Sequence, residues 1–264
     1  MCWSFAASAI FALIGFGFAA HLVYKKESNL LWIPLGYFAI METLQTITYF
    51  YIGNCSSPEN QLLTFLSYIH IAFQPILINA LILYFIPARF RAKIIWPVLT
   101  IASIITVLML VKIYPFSWAG SCVLGSELCG KILCSYPGNW HLAWSIPFND
   151  LGANMMAYYI IAVFVLPLLY GSWKTTVYSI IIGPLIAFLL TNNPNEWPAI
   201  WCLMSIGIIL GIAIPYIRRN LHVKRWYFWE YPHRCEQCKH WWVPSTSAHP
   251  IKCPRCKSKY WHKK

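Results

Sequence analysis

Charge is what this sequence has least of. Only 8 of its 264 residues are acidic, and charged residues of both signs make up 11%, against roughly 25% in an ordinary soluble domain. With 59% apolar and 17% aromatic residues, the chain cannot dress a water-facing surface and reads as a membrane protein. Two further absences remove particular chemistries. Residues 197–217 contain no lysine, so the last apolar segment offers no Schiff base to a retinal. Residues 151–217 contain no histidine, which counts against the three-histidine zinc mechanism of the seven-helix lipid hydrolases related to alkaline ceramidase.

What is present divides near Arg218. Before it, apolar runs alternate with short polar breaks; after it, twelve Lys/Arg face two Glu. A helix needs about 20 apolar residues to cross a bilayer core. Seven stretches approach or meet that need: 4–24, 30–52, 62–86, 94–114, 151–171, 175–192 and 197–217. The expected fold is all-α: a seven-helix transmembrane domain over 1–217, a basic aromatic linker over 218–232 and a small zinc ribbon over 233–264. The first run has no basic residue before it and no small-residue cleavage site, so it reads as a span rather than a signal peptide.

Loop charge sets the expected orientation. Lys25/Lys26, Arg89/Arg91/Lys93, Lys174 and Arg218/Arg219 fall on alternate connections, whereas 53–61, 115–150 and 192–197 are poor in Lys and Arg. The N-terminus is therefore expected outside and the tail in the cytosol. Cys55, Cys122, Cys129 and Cys134 then lie on the oxidising side as disulfide candidates. Four thiols permit three pairings, which sequence cannot choose between, and Cys2 is a further candidate partner.

In the tail, Cys235-Glu-Gln-Cys238 and Cys253-Pro-Arg-Cys256 supply two tight pairs of thiolates, the donor set of one tetrahedral zinc. Aromatic residues (Trp241, Trp242, Tyr260, Trp261) interleave with them, and a unit this small needs its metal to fold. His240 and His249 are alternative ligands. The run resembles the zinc ribbons of small bacterial and archaeal proteins. Its basic charge suits anionic lipid headgroups of the bilayer, with a cytosolic protein partner next and nucleic acid after that.

Ionisable groups inside a bilayer mark functional sites. Glu42, Gln45, Thr46 and Tyr49 share one helix face at i, i+3, i+4, i+7, and His70 and Gln74 lie one turn apart just before Pro75. Counting the 1.5 Å rise per residue puts Glu42 roughly 18 Å from one end of its helix and His70 roughly 12 Å from the opposite end of the next. That is one level, so the two are expected to meet, as an acid–base pair, a proton relay, a second metal site or a structural tie between helices. His141 reaches that level only if its aromatic loop, which includes Trp144, folds into the bundle mouth. Asn149, Asp150 and Asn154 follow, as N-caps or, for Asp150, a catalytic helper; Asn154 also joins the ligand-pocket candidates Cys2, Trp3, Ser4, Gln45, Tyr49, Gln74 and Trp144.

The Met1-Cys2-Trp3-Ser4 start, the Met41-Glu42-x-x-Gln45 face, His70-x-x-x-Gln74-Pro75 and Trp140-His141-Leu-Ala-Trp144 resemble a group of multi-pass proteins known as a domain of unknown function. The likeness covers about 1–217 and implies a coherent domain without an activity. The resulting expectation is a membrane receptor, sensor or scaffold with a polar pocket in its outer half. The alternatives are a lipid-acting enzyme using Glu42 and His70, and a proton-coupled transporter with Glu42 as carrier.

Overall fold

The computed structural model describes residues 4–223, 233–242, 252–260 and 262; Cys2, Trp3, His249, Trp261 and the linker residues 224–232 lie outside the described residues. Each apolar segment is helical: α1 (Phe5–Tyr24), α2 (Asn29–Thr48), α3 (Pro58–Tyr84), α4 (Ala88–Val111), α5 (Met155–Leu169), α6 (Trp173–Leu190) and α7 (Trp197–Ala213), followed by a short α8 (Pro215–Leu221). Five of these, α1–α4 and α6, are long and apolar enough to cross a membrane. The ends explain the shortness of the other two. α5 starts at Met155 because the Asn154 side chain caps it, accepting from the Ala157 amide at 2.7 Å. α7 ends where Ile214 turns extended before Pro215, which opens α8.

Small residues let α1 and α2 approach. Ser8, Ala12, Gly15 and Ala19 form the buried stripe of α1, and a Cβ on Gly15 would lie 2.8 Å from that of Ala39. This is how helices associate where lipid removes the hydrophobic drive between them. The far side of α1 presents Leu13 at 72% exposure, an apolar surface suited to lipid.

α5 and α6 each contain one π-helical turn, Ile161–Val165 and Ile181–Leu185. Pro167 follows the first and Pro184 lies in the second. In the π register the Leu166 amide bonds the Ile161 carbonyl, so the Ala162 carbonyl would receive the next amide, which Pro167 does not have. Asn79 of α3 supplies the donor: its Nδ2 reaches the Ala162 carbonyl at 2.9 Å and the Pro75 carbonyl at 2.8 Å, while its Oδ1 accepts from the Tyr170 hydroxyl at 3.0 Å. Asn79→Leu keeps the branched outline of the side chain but removes these bonds. It is expected to cost about 1–3 kcal/mol, the penalty of unsatisfied buried polar groups, read as a lower melting temperature in detergent.

The bundle has two distinct ends. At one, which we call the loop end, the disulfides Cys55–Cys134 and Cys122–Cys129 and an antiparallel hairpin cover the helices. The hairpin joins β1 (Cys134–Pro137) to β2 (Leu142–Ser145), with Cys134 opposite Ser145. At the tail end, Arg218 donates to Glu27 at 2.7 Å and to the Tyr84 hydroxyl, and the Val223 amide donates to the Phe85 carbonyl at 3.1 Å. The Arg218 hydrogen bond holds the Glu27 carboxyl below its usual range.

Candidate functional site

The loop-end hairpin is built to deliver one side chain. Asn60 at the start of α3 accepts from the Ser135 amide (2.9 Å) and donates to the Ser135 and Tyr51 carbonyls (both 2.8 Å), fixing β1. Glu196, fully buried at the start of α7, accepts from the amides of Asn139 (2.5 Å), Trp140 (3.0 Å) and His141 (3.4 Å). Three consecutive amides form a nest for its carboxylate. Gly138 makes this approach feasible, since a Cβ there would meet the Glu196 carboxyl carbon at 2.3 Å. Asn195 ties the flanking loops by accepting from the Leu128 amide at 2.6 Å and donating to the Tyr136 hydroxyl at 2.9 Å.

Held this way, His141 enters the bundle mouth and is 1% exposed. Its Nε2 lies 2.7 Å from Gln45 Oε1 and its Nδ1 2.8 Å from the Tyr49 hydroxyl. An amide oxygen only accepts, so with Gln45 in this orientation Nε2 carries the proton and Nδ1 accepts from Tyr49. Burial pushes the His141 pKa down to about 3, which keeps the ring neutral. The unfolded chain binds a proton near pH 6.5, where the folded state refuses it. Stability is therefore intact above pH 6.5 and falls as pH drops toward about 3, with a slope of up to about 1.4 kcal/mol per pH unit. Melting curves against pH should show this decline, flattened in His141→Gln.

Glu42 and Gln45 are fully buried one turn apart on α2, and neither oxygen of Glu42 has a hydrogen-bond partner. The expected contact between Glu42 and His70 is not made. His70 instead stacks on the Tyr37 ring at 3.9 Å between centroids and sets its Nε2 2.7 Å from the Tyr37 carbonyl; the Tyr37 hydroxyl returns a bond to the His70 carbonyl at 2.8 Å. Tyr37 lies five residues, or roughly 7.5 Å, below Glu42 along the helix. The reason is the start of α3, at Pro58 rather than residue 62, which carries His70 about 6 Å deeper than expected. Gln74 does find partners: it donates to the Cys202 thiol at 3.2 Å and accepts from the Tyr159 hydroxyl at 2.5 Å, which accepts in turn from Trp201 Nε1 at 2.5 Å.

That hydrogen-bonded chain backs a cavity of about 300 Å³ between α5, α6 and α7. Met155, Tyr159, Phe164, Ala187, Phe188, Trp197 and Trp201 are among its lining residues, and Glu127 stands at its edge. Gly183, in the π turn of α6, lets the Trp201 ring lie across it: a Cβ there would sit 1.5 Å from the ring. Of the other sequence candidates, Asp150 is exposed and Ser4 caps α1 through its carbonyl. Trp144 is fully buried with its ring N–H unpartnered. Sequence reasoning passed over Tyr37, Tyr159, Glu196, Trp201 and Cys202. Only Glu196 carried a signal, as an acid in a loop of few charges.

In the tail the four sulfurs of Cys235, Cys238, Cys253 and Cys256 lie within 4.8 Å of one another, and this is the metal-competent cluster among the described residues. Cys235 and Cys256 are 3.6 Å apart, Cys238 and Cys253 3.7 Å, close to the ~3.8 Å edge of a tetrahedron with metal–sulfur bonds of ~2.3 Å. The two halves repeat one turn. In each, the first Cys donates its amide five residues ahead (to His240 and Ser258), and a Lys with positive φ (Lys239 at 55°, Lys257 at 60°) donates back to that Cys. Four thiolates in such a cradle fit a soft divalent ion.

Comparison with curated proteins and with solved structures returned no match. A family profile does match, over residues 6–222, from the first turn of α1 to just past α8. That match takes in the hairpin, the Glu42 face and the cavity, and the chain thus belongs to the Family of unknown function (DUF5765).

Proposed function

We propose that this protein is a multi-pass membrane receptor or sensor whose seven helices bind a small membrane-borne amphiphile between α5, α6 and α7. The cavity carries this reading. Its size is at the lower end of the range for small-molecule sites, ~300–1,000 Å³, and Ile160 and Phe188, 43% and 63% exposed, flank it on the lipid-facing side. Apolar walls suit a hydrocarbon body, and the half-buried Glu127 at the edge suits a hydrogen-bonding or cationic head. Basic residues at the tail end support an outside N-terminus and a cytosolic tail. There the basic stretch would meet anionic lipid and the cysteines would hold one structural zinc, giving the division 1–217, 218–232 and 233–264. An enzyme built on Glu42 and His70 has less support, because the His70 ring is committed to Tyr37.

Tryptophan fluorescence tests the reading, since Trp197 and Trp201 line the cavity. A brominated single-chain amphiphile should quench them saturably in the wild type, and Ala187→Phe, which fills the cavity, should remove the saturable part. Equal, non-saturating quenching in both proteins would reflect ordinary lipid contact and defeat the proposal.

A further inference from the structure

Glu42 is a buried acid that neither the cavity nor the hairpin uses. Its carboxyl is fully buried and both oxygens lack hydrogen-bond partners. Ser8 of α1 faces it without completing a hydrogen bond. The other titratable groups around it are Cys202 of α7 and Tyr49 of its own helix, with His141 beyond Tyr49 at the mouth. None of these brings a positive charge: Cys202 and Tyr49 carry none, and His141 donates through Nε2 to Gln45 while Nδ1 accepts from Tyr49. Helices α1, α2, α3 and α7 contain no lysine or arginine at all. An ionised carboxylate needs a counter-charge to persist in such surroundings, and these helices hold no lysine or arginine to give it one.

We propose that Glu42 is a proton-binding site, occupied in the closed bundle and sealed from the water at the loop end by the His141 hairpin. One turn above Glu42, Gln45 spends its oxygen on His141 and turns an unpartnered Nε2 into the interior. His141 and Tyr49 close the mouth over it. Release breaks the Glu42 O–H bond, leaves the electron pair on the carboxylate and passes the proton to water admitted when the hairpin lifts. The hairpin is clamped by Cys55–Cys134 and by the three amides on Glu196, so exchange should be slow in the intact protein.

Carbodiimides test both halves, because they modify the protonated acid and come in apolar and water-soluble forms. In the full-length protein in detergent, apolar dicyclohexylcarbodiimide should modify Glu42, located by peptide mass spectrometry, with a rate that falls as pH is raised. A water-soluble carbodiimide should leave Glu42 untouched in the wild type and modify it several-fold faster in His141→Ala. Glu196→Gln, which loosens the hairpin while keeping His141, should give the same increase if His141→Ala misfolds. Failure of the apolar reagent to modify Glu42 at any pH, while exposed carboxyls such as Asp150 react, would overturn protonation. Equal reaction of wild type and both variants with the water-soluble reagent would overturn the seal.

Discussion

Gly183→Ala is expected to destabilise the bundle by about 3 kcal/mol or more, at or above the upper end of the usual cost of overpacking. The added methyl would lie 1.5 Å and 1.7 Å from two carbons of the Trp201 ring, and an indole cannot fold away as a lysine tip can. Trp201 is itself anchored, donating to Tyr159, which donates to Gln74. Displacing the ring therefore breaks a hydrogen-bonded chain spanning three helices and deforms the back wall of the cavity. The melting temperature should fall and the saturable quenching by a brominated amphiphile should disappear together. Gly17→Ala is the matched control: a Cβ there meets nothing within 4 Å, so the helix gains up to about 1 kcal/mol of propensity. If the two variants melt alike, Trp201 does not cross the π turn as described.

The contrast between these two glycines shows where sequence reading succeeds and where it stops. The helices were legible because a long apolar run in a chain this poor in charge has few other forms, and the tail cysteines because Cys-x-x-Cys spacing is set by the metal rather than by the fold. Helical periodicity puts Glu42, Gln45, Thr46 and Tyr49 on one face, where Gln45 and Tyr49 meet His141, whereas Gln74 bonds Tyr159 at a separate place. Other features depend on packing across the chain. The meeting of Glu42 and His70 failed by a count of four residues at the start of α3, which periodicity cannot fix. In sequence the hairpin reads only as an aromatic loop within an all-α fold; its two strands are four residues each and pair only once docked. That docking depends on Asn60 and Glu196, 75 and 57 residues from their partners Ser135 and Asn139. The role of Asn79 needed the π turns, and these arise from two prolines whose effect on register shows only in three dimensions.

The second large effect belongs to the tail. Full-length protein purified in detergent is expected to carry one zinc per chain, and the double replacement Cys235→Ser, Cys238→Ser to carry none. The physical reason is that the metal is the core of this unit: among its described residues Cys235 and Cys253 are fully buried, with Cys238 packed against them. A unit of about 30 residues built on two short turns and a two-residue strand pair, His233–Arg234 against Trp241–Trp242, is below the size at which an apolar core alone offsets the entropy of ordering it. Binding to such a site releases about 10–16 kcal/mol, so removing the ion should unfold the tail outright. The bundle, with its own core and disulfides, should be left standing. A chelator should accordingly make four more thiols reactive while the bundle melts at an unchanged temperature; Cys202, fully buried, stays shielded. Metal that persists in the double variant would have to be held elsewhere, and Glu42, with both oxygens unpartnered, would be the first place to look. That result would replace a proton with a metal ion at Glu42, and the carbodiimide reaction would then be blocked by the metal and restored by the chelator.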